Sequence, residues 1–241
     1  MNKLEKKQKN REINIKTQQA RKFVVRLTII TLLLEVLVFF KGQEIKGLAY
    51  GQLLLILIFL YGFYHFRSLL MIENKTTSFF SEGMFLMIIN SFSLWSQTGH
   101  YDHQDTHPLW LIIWPTFGVL MLLFLIAIWA LPLSITKCVQ YVFVYGLMLL
   151  SASYGVIAYT NVRMDDAPPV RNKTIITDRY VSDKSRYIYY YIMVSGREGN
   201  GFPEKIEVEE SFYESVNTGQ EITIDVYPGK LNVPWFKILG D

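Results

Sequence analysis

Residues 109–133 read LWLIIWPTFGVLMLLFLIAIWALPL, a run without a single charged side chain. A helix needs about 20 apolar residues to cross the hydrocarbon core of a bilayer. The run therefore predicts a membrane-spanning helix, which Pro115 is expected to kink. Three further runs meet the same length criterion, and they are Phe23–Phe40, Gly47–Phe66 and Val139–Thr160. The chain is thus expected to be an integral membrane protein with a helical domain over residues 23–160.

A fifth segment, Ser78–Trp95, is ambiguous. Its centre, MFLMII, is apolar, whereas Glu82, Asn90, Ser91 and Ser93 make both ends polar. If the segment spans the bilayer, the two ends of the helical domain lie on opposite sides. If it lies on the membrane surface, both ends lie on the same side. We predict a membrane α-helical bundle of about five spans, with this segment as the uncertain one.

Charge is distributed unevenly along the chain. Residues 1–22 carry a net charge of +6, residues 23–160 are neutral, and residues 161–241 carry −3. Lys and Arg are enriched in the cytoplasmic segments that flank membrane helices. The basic arm formed by residues 1–22 therefore predicts a cytoplasmic N-terminus and is compatible with binding to the lipid bilayer.

The side on which the C-terminal region lies is harder to predict. The loop at residues 96–108 has no Lys or Arg, which favours the outside, whereas four basic residues follow the last span and favour the cytoplasm. They are Arg163, Arg171, Lys173 and Arg179. Large domains cross membranes largely regardless of charge, so we give the loop more weight. We predict a multi-pass protein of a bacterial-type inner membrane with a periplasmic C-terminus.

Beyond the last span, the pattern changes from apolar runs to the period-two alternation of β-strands. Residues 161–172 are interpreted as a linker that contains two Asp and two Pro. Residues 173–241 predict a small, mostly β extramembrane domain, an antiparallel sheet or barrel of about five strands. Tyr187–Val194 is apolar on both faces and is expected to be a central strand. A helical turn is expected at Ser211–Asn217.

The segment Thr218–Gly229 reads TGQEITIDVYPG and follows a strand, a Gly-rich turn, a second strand and a short helix. This order resembles the small β modules of uncharacterised bacterial polytopic membrane proteins. The resemblance covers the C-terminal part of the β domain. It implies a β unit that adjoins membrane helices, and it implies no activity.

Three of the four histidines, His100, His103 and His107, fall in one polar loop with two aspartates. On a helical turn, their spacings of three and four residues would place all three on one face. Imidazole and carboxylate groups suit zinc or copper, so the histidines are candidate metal ligands. The loop has no His-Glu-x-x-His pattern and no glutamate that could act as a base. We favour the alternative, a polar loop that caps two helices, and expect no cofactor.

A carboxylate, Glu35, lies inside the first span between LLL and VLV. An ionised carboxylate at that depth is unfavourable unless it is paired or faces the bundle interior. A proton relay is one interpretation, and a helix–helix hydrogen bond to Gln52, Tyr50 or Thr31 is the other. A relay requires several ionisable groups at depth, and the other spans offer little beyond Gln52 and His65. We therefore favour helix packing, with Glu35 and Gln52 as the intramembrane polar residues.

Four acidic residues of the β domain form a candidate partner-binding strip, and they are Glu207, Glu209, Glu210 and Glu214. Such a strip is usually solvated, but it would also suit a basic protein. The sequence has no phosphate-binding Gly-rich loop, no Gly-x-Ser-x-Gly motif and no Cys nucleophile with a nearby base. Its basic residues are not interleaved with aromatic ones, so nucleic acid is not an expected partner. We expect a protein that is not an enzyme.

Together these patterns predict a non-catalytic membrane protein whose β domain meets a protein partner, either a toxin or an envelope protein. One subtype is an immunity protein that shields its own membrane from a pore-forming or envelope-targeting toxin. A metal-binding membrane protein or enzyme that uses the histidine loop is an alternative. A small channel or transporter that uses Glu35 is another.

Overall fold

The computed structural model describes residues 3–41, 45–72, 77–98, 102–103, 106–129, 133–184, 187–195 and 204–239. The helices in these ranges are α1 (Lys3–Lys41), α2 (Leu48–Ile72), α3 (Thr77–Ser96), α4 (His107–Ile128), α5 (Ile135–Arg163) and α6 (Glu210–Ser215). The strands are β1 (Asp102–His103), β2 (Val170–Lys184), β3 (Tyr187–Val194), β4 (Lys205–Val208), β5 (Glu221–Tyr227) and β6 (Trp235–Leu239). The predicted helical region and the mostly β region after it are both present.

The chain divides into two compact units. The helical unit comprises Met1–Gly99 and Trp110–Tyr159, and the β unit comprises His100–Leu109 and Thr160–Asp241. The segment His100–Leu109 therefore groups with the C-terminal part of the chain, although fifty residues separate them along the sequence.

Four helices in the described part of the chain are long and apolar enough to cross a membrane, not the five that we predicted. The candidate spans are Asn14–Lys41, Leu48–Phe66, His107–Ile128 and Ile135–Arg163. The ambiguous segment is helical as part of α3, but its described apolar stretch runs only from Phe85 to Ser96. Two of its polar residues, Asn90 and Ser91, are buried inside the helical unit.

The basic arm is helical and continuous with the first span, since α1 begins at Lys3 and ends at Lys41. Lys, Arg, Gln and Ala dominate the arm from Lys16 to Lys22, and all four are good helix formers. An apolar helix that is already formed extends into such a segment at little cost, because propagation is easier than nucleation.

Successive helices of the bundle alternate in direction. Near the C-terminal end of α5, the Tyr159 hydroxyl donates to the carbonyl of Ile45, 3.3 Å away, and accepts from the amide of Gly47 at 3.2 Å. Ile45 and Gly47 lie immediately before α2. At the other end of α2, Phe63 packs against Phe124 near the end of α4, with their ring centroids 6.5 Å apart. The end of α5 thus meets the start of α2, and the end of α2 meets the end of α4.

The helix α3 runs parallel to α5. The Ser151 hydroxyl donates to the carbonyl of Ser91 at 3.3 Å. One turn further along both helices, a Cβ on Gly155 would lie 2.6 Å from the carbonyl carbon of Leu94, so the two backbones are in close contact. Small residues at helix interfaces allow this approach in membranes. The C-terminal end of α3 therefore lies level with the start of α2 and the end of α5.

The β unit is one antiparallel half-barrel sheet with the strand order β1-β6-β5-β2-β3-β4. The long strand β2 belongs to both halves of this sheet, because residues 170–175 pair with β5 and residues 176–184 pair with β3. The register shifts between Ile176 and Asp178. An irregularity of this kind bends a strand and increases its twist, which redirects the second half of β2.

A single apolar core holds the β unit together. Its buried members come from β2 to β6 and from the segment after α6, and they are Ile176, Ile192, Val194, Ile206, Val216, Ile222, Ile224 and Phe236. Alternate residues of β5 supply this core, as the period-two pattern of the sequence predicts. The predicted helical turn is present as α6, which packs on β3 through Phe212 and Tyr213.

The turn between β5 and β6 is tied by hydrogen bonds to the last turn of α5 and to the residues just after it. Asn161 Nδ2 donates to the carbonyl of Val233 at 2.8 Å, and Asp165 Oδ2 accepts from the amide of Gly229 at 2.8 Å. Asp165 Oδ2 also accepts from the indole nitrogen of Trp235 at 3.3 Å. A side chain at Gly229 would meet the Val233 carbonyl, and its φ of 76° also favours glycine. Two residues of the predicted linker therefore hold the last hairpin.

Candidate functional site

The helical unit contains a chain of hydrogen-bonded polar side chains that joins three helices. Gln52 of α2 is fully buried, and its Nε2 donates to Glu35 Oε1 of α1 at 2.9 Å and to Ser93 Oγ of α3 at 2.7 Å. Gln97 Nε2, just after α3, donates to Gln52 Oε1 at 2.8 Å and to the Ser93 carbonyl at 3.2 Å. We call these four side chains the polar cluster. The hydrogen bond expected between Glu35 and Gln52 is present.

The other two partners considered for Glu35 were Tyr50 and Thr31. Tyr50 packs its ring against that of Tyr159, with the centroids 6.4 Å apart. The Thr31 hydroxyl is fully buried and has no hydrogen-bond partner among the described residues. Because Thr31 precedes Glu35 by four residues, both lie on the same face of α1, with Thr31 one turn deeper.

Three more buried oxygens near the cluster also lack a partner in the described part of the chain, and they are Asn90 Oδ1, Ser91 Oγ and Gln97 Oε1. Asn90 Nδ2 donates to the carbonyl of Leu86 in its own helix at 2.8 Å. The side-chain oxygen of Asn90 has no such partner among the described residues. Buried polar atoms are almost always paired in folded proteins. Several unpaired oxygens in one region therefore call for an explanation.

The histidine loop contributes a strand to the β unit. The backbone of Asp102 pairs with Phe236 and that of His103 pairs with Trp235, so β1 extends the sheet beyond β6. His100 lies outside the described residues, and for His103 the description is limited to the backbone. His107 is the first residue of α4 and is exposed. Among the described residues, no three His, Cys, Asp or Glu side chains come together as metal ligands would.

The four acidic residues of the predicted strip are divided between two faces of the sheet. Glu207 accepts a hydrogen bond from the Tyr191 hydroxyl at 3.2 Å, and Glu210 accepts one from the hydroxyl of Tyr190. Neighbouring residues of a strand point to opposite faces, so these two carboxylates lie on opposite sides of β3. Glu209 immediately precedes α6 and Glu214 lies within it, and both are exposed.

These contacts shift the pKa values of both tyrosines upward. The hydrogen bond to Glu210 is the main cause of the raised pKa of Tyr190, and partial burial adds to it. Desolvation is the main cause of the raised pKa of Tyr191, followed by the charge of Glu207. In each case, the neutral hydroxyl acts as a donor to a carboxylate, and losing its proton would place two negative charges together.

The end of the β2–β3 hairpin extends beyond the rest of the sheet. Over the described residues, β4 pairs with Tyr190–Met193 and β5 pairs with Val170–Ile175. Beyond these paired regions, the end of β2 and the start of β3 pair only with each other and form the tip of the hairpin. We call Tyr180–Lys184 together with Tyr187–Tyr191 the hairpin arm.

The hairpin arm carries apolar side chains on both faces. Val181 and Ile188 lie on the same face as Tyr190, and they are 47% and 59% exposed. The opposite face carries Tyr180 and Tyr191, which are directly paired across the two strands with their ring centroids 5.4 Å apart. A hairpin with exposed apolar residues on one face and half-buried tyrosines on the other is uncommon in a soluble domain, where one face normally covers the core.

A cation lies over the tyrosine face of the hairpin arm. The Lys205 ammonium is 3.9 Å from the ring centroid of Tyr191 and 5.2 Å from that of Tyr180. Tyr189 adds a third ring, with its centroid 6.4 Å from that of Tyr191. The pKa of Lys205 is raised, mainly through its hydrogen bond with Tyr180, so the side chain stays charged. Aromatic rings with a cation are typical of protein interface surfaces.

Sequence reasoning missed several of these residues. Ser93 counted only as a polar interruption at the end of an ambiguous span, and Gln97 was not singled out, although their spacing of four from each other puts them on one helix face. Asn90 shares that face at a spacing of three from Ser93, and this 3-4 pattern was the available signal. The sequence offered no comparable sign that β1 would pair with β6, because that pairing joins distant segments.

No protein-family model matches this chain, and neither a curated protein nor a solved structure is significantly similar to it. The polar cluster and the hairpin arm are therefore the features that bear on the function of the protein.

Proposed function

We propose that the protein is a non-catalytic, multi-pass protein of a bacterial-type inner membrane that binds a protein partner on the periplasmic side. The observation that carries the proposal is the hairpin arm, which exposes Val181 and Ile188 on one face and carries half-buried tyrosine rings on the other. Apolar and aromatic side chains without a core to cover are typical of binding surfaces.

The alternation of the helices supports opposite sides for the two ends of the chain. The end of α5 lies level with the connection between α1 and α2, because Tyr159 bonds to Gly47 and Ile45. If α1 starts in the cytoplasm, that connection is periplasmic, and the chain leaves α5 on the same side. Since α3 runs parallel to α5, it would act as the fifth crossing segment even though its described apolar stretch is short.

Pairing in the sheet supports the same topology. The loop before α4 supplies β1, and β1 pairs with β6 of the C-terminal region. Two segments of one sheet must lie on one side of the membrane, so the loop without Lys or Arg and the β unit share a side. The loop and the β unit are expected to lie on one side if α4 and α5 cross the membrane as an antiparallel pair.

Three of the basic residues that argued for a cytoplasmic C-terminus have partners inside the β unit. Arg171 forms a two-point ion pair with Asp225, with Nε 2.9 Å from Oδ1. Lys173 Nζ lies 2.7 Å from Glu221 Oε1. Arg179 donates to the carbonyl of Val216, which is in the same unit. These contacts within the β unit explain why the three basic residues are present. Their positions therefore need not indicate a cytoplasmic C-terminus.

The proposed partner is a toxin or an envelope protein, and immunity against a pore-forming or envelope-targeting toxin is the proposed subtype. A ribbon with two apolar faces can insert between surfaces of a partner, and tyrosine is among the residues that contribute most at such contacts. Glu207, Glu209, Glu210 and Glu214 surround the arm with negative charge. That charge favours a partner with a basic surface around its apolar contact.

Cysteine labelling tests the topology. In a Cys138→Ser background, Gln8→Cys probes the basic arm before the first candidate span, and Thr218→Cys probes the turn before β5; both positions are exposed. Intact spheroplasts are treated with a membrane-impermeant maleimide. We expect Thr218→Cys to react at once and Gln8→Cys to react only after permeabilisation. Labelling of both positions on the same side would contradict the proposal.

A protection assay tests the function. Cells that lack the gene are expected to be killed by toxin-producing sibling cells, and the wild-type gene is expected to restore survival. Ile188→Asp should fail to restore it at unchanged membrane abundance. Val170→Asp is the matched control, because Val170 is 64% exposed on β2 but lies outside the hairpin arm. Full resistance of cells without the gene, or full rescue by Ile188→Asp, would overturn the proposal.

A further inference from the structure

The two side-chain amides of the polar cluster have no hydrogen left for a further acceptor. Both hydrogens of the Gln52 amide are used, on Glu35 and Ser93. Both hydrogens of the Gln97 amide are also used, on the Gln52 oxygen and the Ser93 carbonyl. Since an amide group has only two donors, neither can serve a further acceptor.

The oxygens left over lie on the helix faces that carry the cluster. The Thr31 hydroxyl oxygen is one turn from Glu35 on α1, and Asn90 Oδ1 is one turn from Ser93 on α3. Thr31 is fully buried and Asn90 is 2% exposed, and neither oxygen has a partner among the described residues. The region therefore combines one carboxylate with neutral oxygens that point away from water.

A hard cation satisfies such a set of groups better than a hydrogen-bonded network of the same side chains. Carboxylate, amide and hydroxyl oxygens are the ligands of hard metal ions, and in membranes such oxygens replace the hydration shell of an ion. The only acidic residue of the cluster is Glu35, so one positive charge balances the site. A single charge favours a monovalent ion over a divalent one.

The packing around the cluster favours binding rather than conduction. Phe63 lies eleven residues after Gln52 on α2, about 16 Å along the helix. It is fully buried and packs against Phe124 and Tyr145, with ring centroids 6.5 and 6.0 Å away. Phe124 and Tyr145 are themselves stacked at 4.8 Å. These rings pack together between α2, α4 and α5 at that depth, which favours a site that holds an ion over a path that conducts one.

We propose that Glu35, Thr31, Gln52 and Asn90 bind one sodium ion between α1, α2 and α3. The ion neutralises the Glu35 carboxylate and supplies a partner for the unpaired oxygens of Thr31 and Asn90. Its binding stabilises the packing of α3 on the other two helices, because the ligands come from all three. This site is independent of the partner-binding function of the β unit.

The test uses the full-length protein in detergent, with sodium chloride exchanged for N-methylglucamine chloride at constant ionic strength. We expect the thermal midpoint to rise by several degrees as sodium is added and then to saturate. Radioactive sodium should bind at about one ion per chain. No difference between the two salts would overturn the proposal. A stabilisation that follows pH but not sodium would also overturn it, because the ligand would then be a proton.

Two variants separate the site from general stability. Thr31→Val removes an unpaired oxygen at nearly constant volume and should weaken sodium binding about tenfold or more. Thr28→Val is the matched control on the same helix, because the Thr28 hydroxyl already donates to the carbonyl of Val24 at 2.9 Å. It should bind sodium as the wild type does. Equal sodium affinity in Thr31→Val and the wild type would contradict the proposed ligand set.

Glu35→Gln keeps the shape of the side chain but removes its charge, and it should abolish sodium binding. Retained binding in this variant would overturn the proposal. If it does not fold, the salt comparison on the wild type and the Thr31→Val and Thr28→Val pair still decide the outcome.

Discussion

Gln52 and Thr31 of the helical unit are fully buried, whereas Ile188 and Val181 of the β unit expose about half of their surface. Each unit therefore departs from the usual pattern, in which polar side chains are exposed and apolar side chains are buried. In lipid, an apolar contact between helices has little advantage over a contact with acyl chains, so buried polar groups and close backbone approach give the bundle its specificity. In water, an apolar residue without a core to cover marks a surface that another molecule can bury.

The largest expected effect separates two isoleucines of β3. Ile192→Ala should destabilise the β unit by about 2–5 kcal/mol, because the side chain is fully buried in the apolar core. Ile188→Ala should change its stability by no more than about 0.5 kcal/mol, because Ile188 covers no core. Pulse proteolysis of the full-length protein across a urea series measures both. Similar losses in the two variants would mean that the hairpin arm is part of the core.

The second effect concerns close packing in the helical unit. Gly155→Ala should cost about 1–3 kcal/mol, because its Cβ would lie 2.6 Å from the Leu94 backbone and would push α5 away from α3. Gly118→Ala is the control, since nothing lies within 4 Å of its Cβ. Unfolding in mixed micelles with increasing SDS compares the two. Loss of stability in Gly118→Ala alone would contradict the packing of α3 on α5.

The smallest effect is a pH dependence at the hairpin arm. The pKa of Tyr190 is raised in the folded state, mainly by its hydrogen bond to Glu210. The neutral tyrosine is therefore favoured by folding, and its contribution to stability is fully present below about pH 10 and is lost as the pH rises above that value. Tyr190→Phe has no group to ionise there. Pulse proteolysis between about pH 8 and about pH 11 should show a steeper loss in the wild type. Equal slopes would contradict the contact.

Much of the fold followed from local patterns. The strands expected near Tyr187–Val194 and around Ile222–Val226 are β3 and β5, and the expected helical turn is α6. These elements carry their signal within a few residues, because side-chain alternation and turn residues act locally. The number of candidate membrane spans could not be predicted from local patterns in the same way. The polar residues of α3 made it an ambiguous span, but two of them, Ser91 and Ser93, contact the other helices.

The candidate site was only partly predictable for the same reason. Glu35 was conspicuous because a carboxylate in an apolar run is rare, and Gln52 was one of three partners that could reach it. Choosing among them required the relative rotation of α1 and α2, which no local pattern encodes. The acidic residues were read as one strip from their positions in the chain, although the contacts of Glu207 and Glu210 lie on opposite faces of β3.

By itself, the sequence determined that the chain has membrane-spanning helices followed by a β domain, because hydrophobic length and side-chain periodicity are properties of continuous segments. Only the tertiary structure decided that the histidine loop adds β1 to the C-terminal sheet, that Gln52 connects Glu35 to Ser93, and that the hairpin arm extends beyond its neighbours. Those features depend on which distant segments pair and in what register. Pairing of that kind is set by the packing of the whole chain.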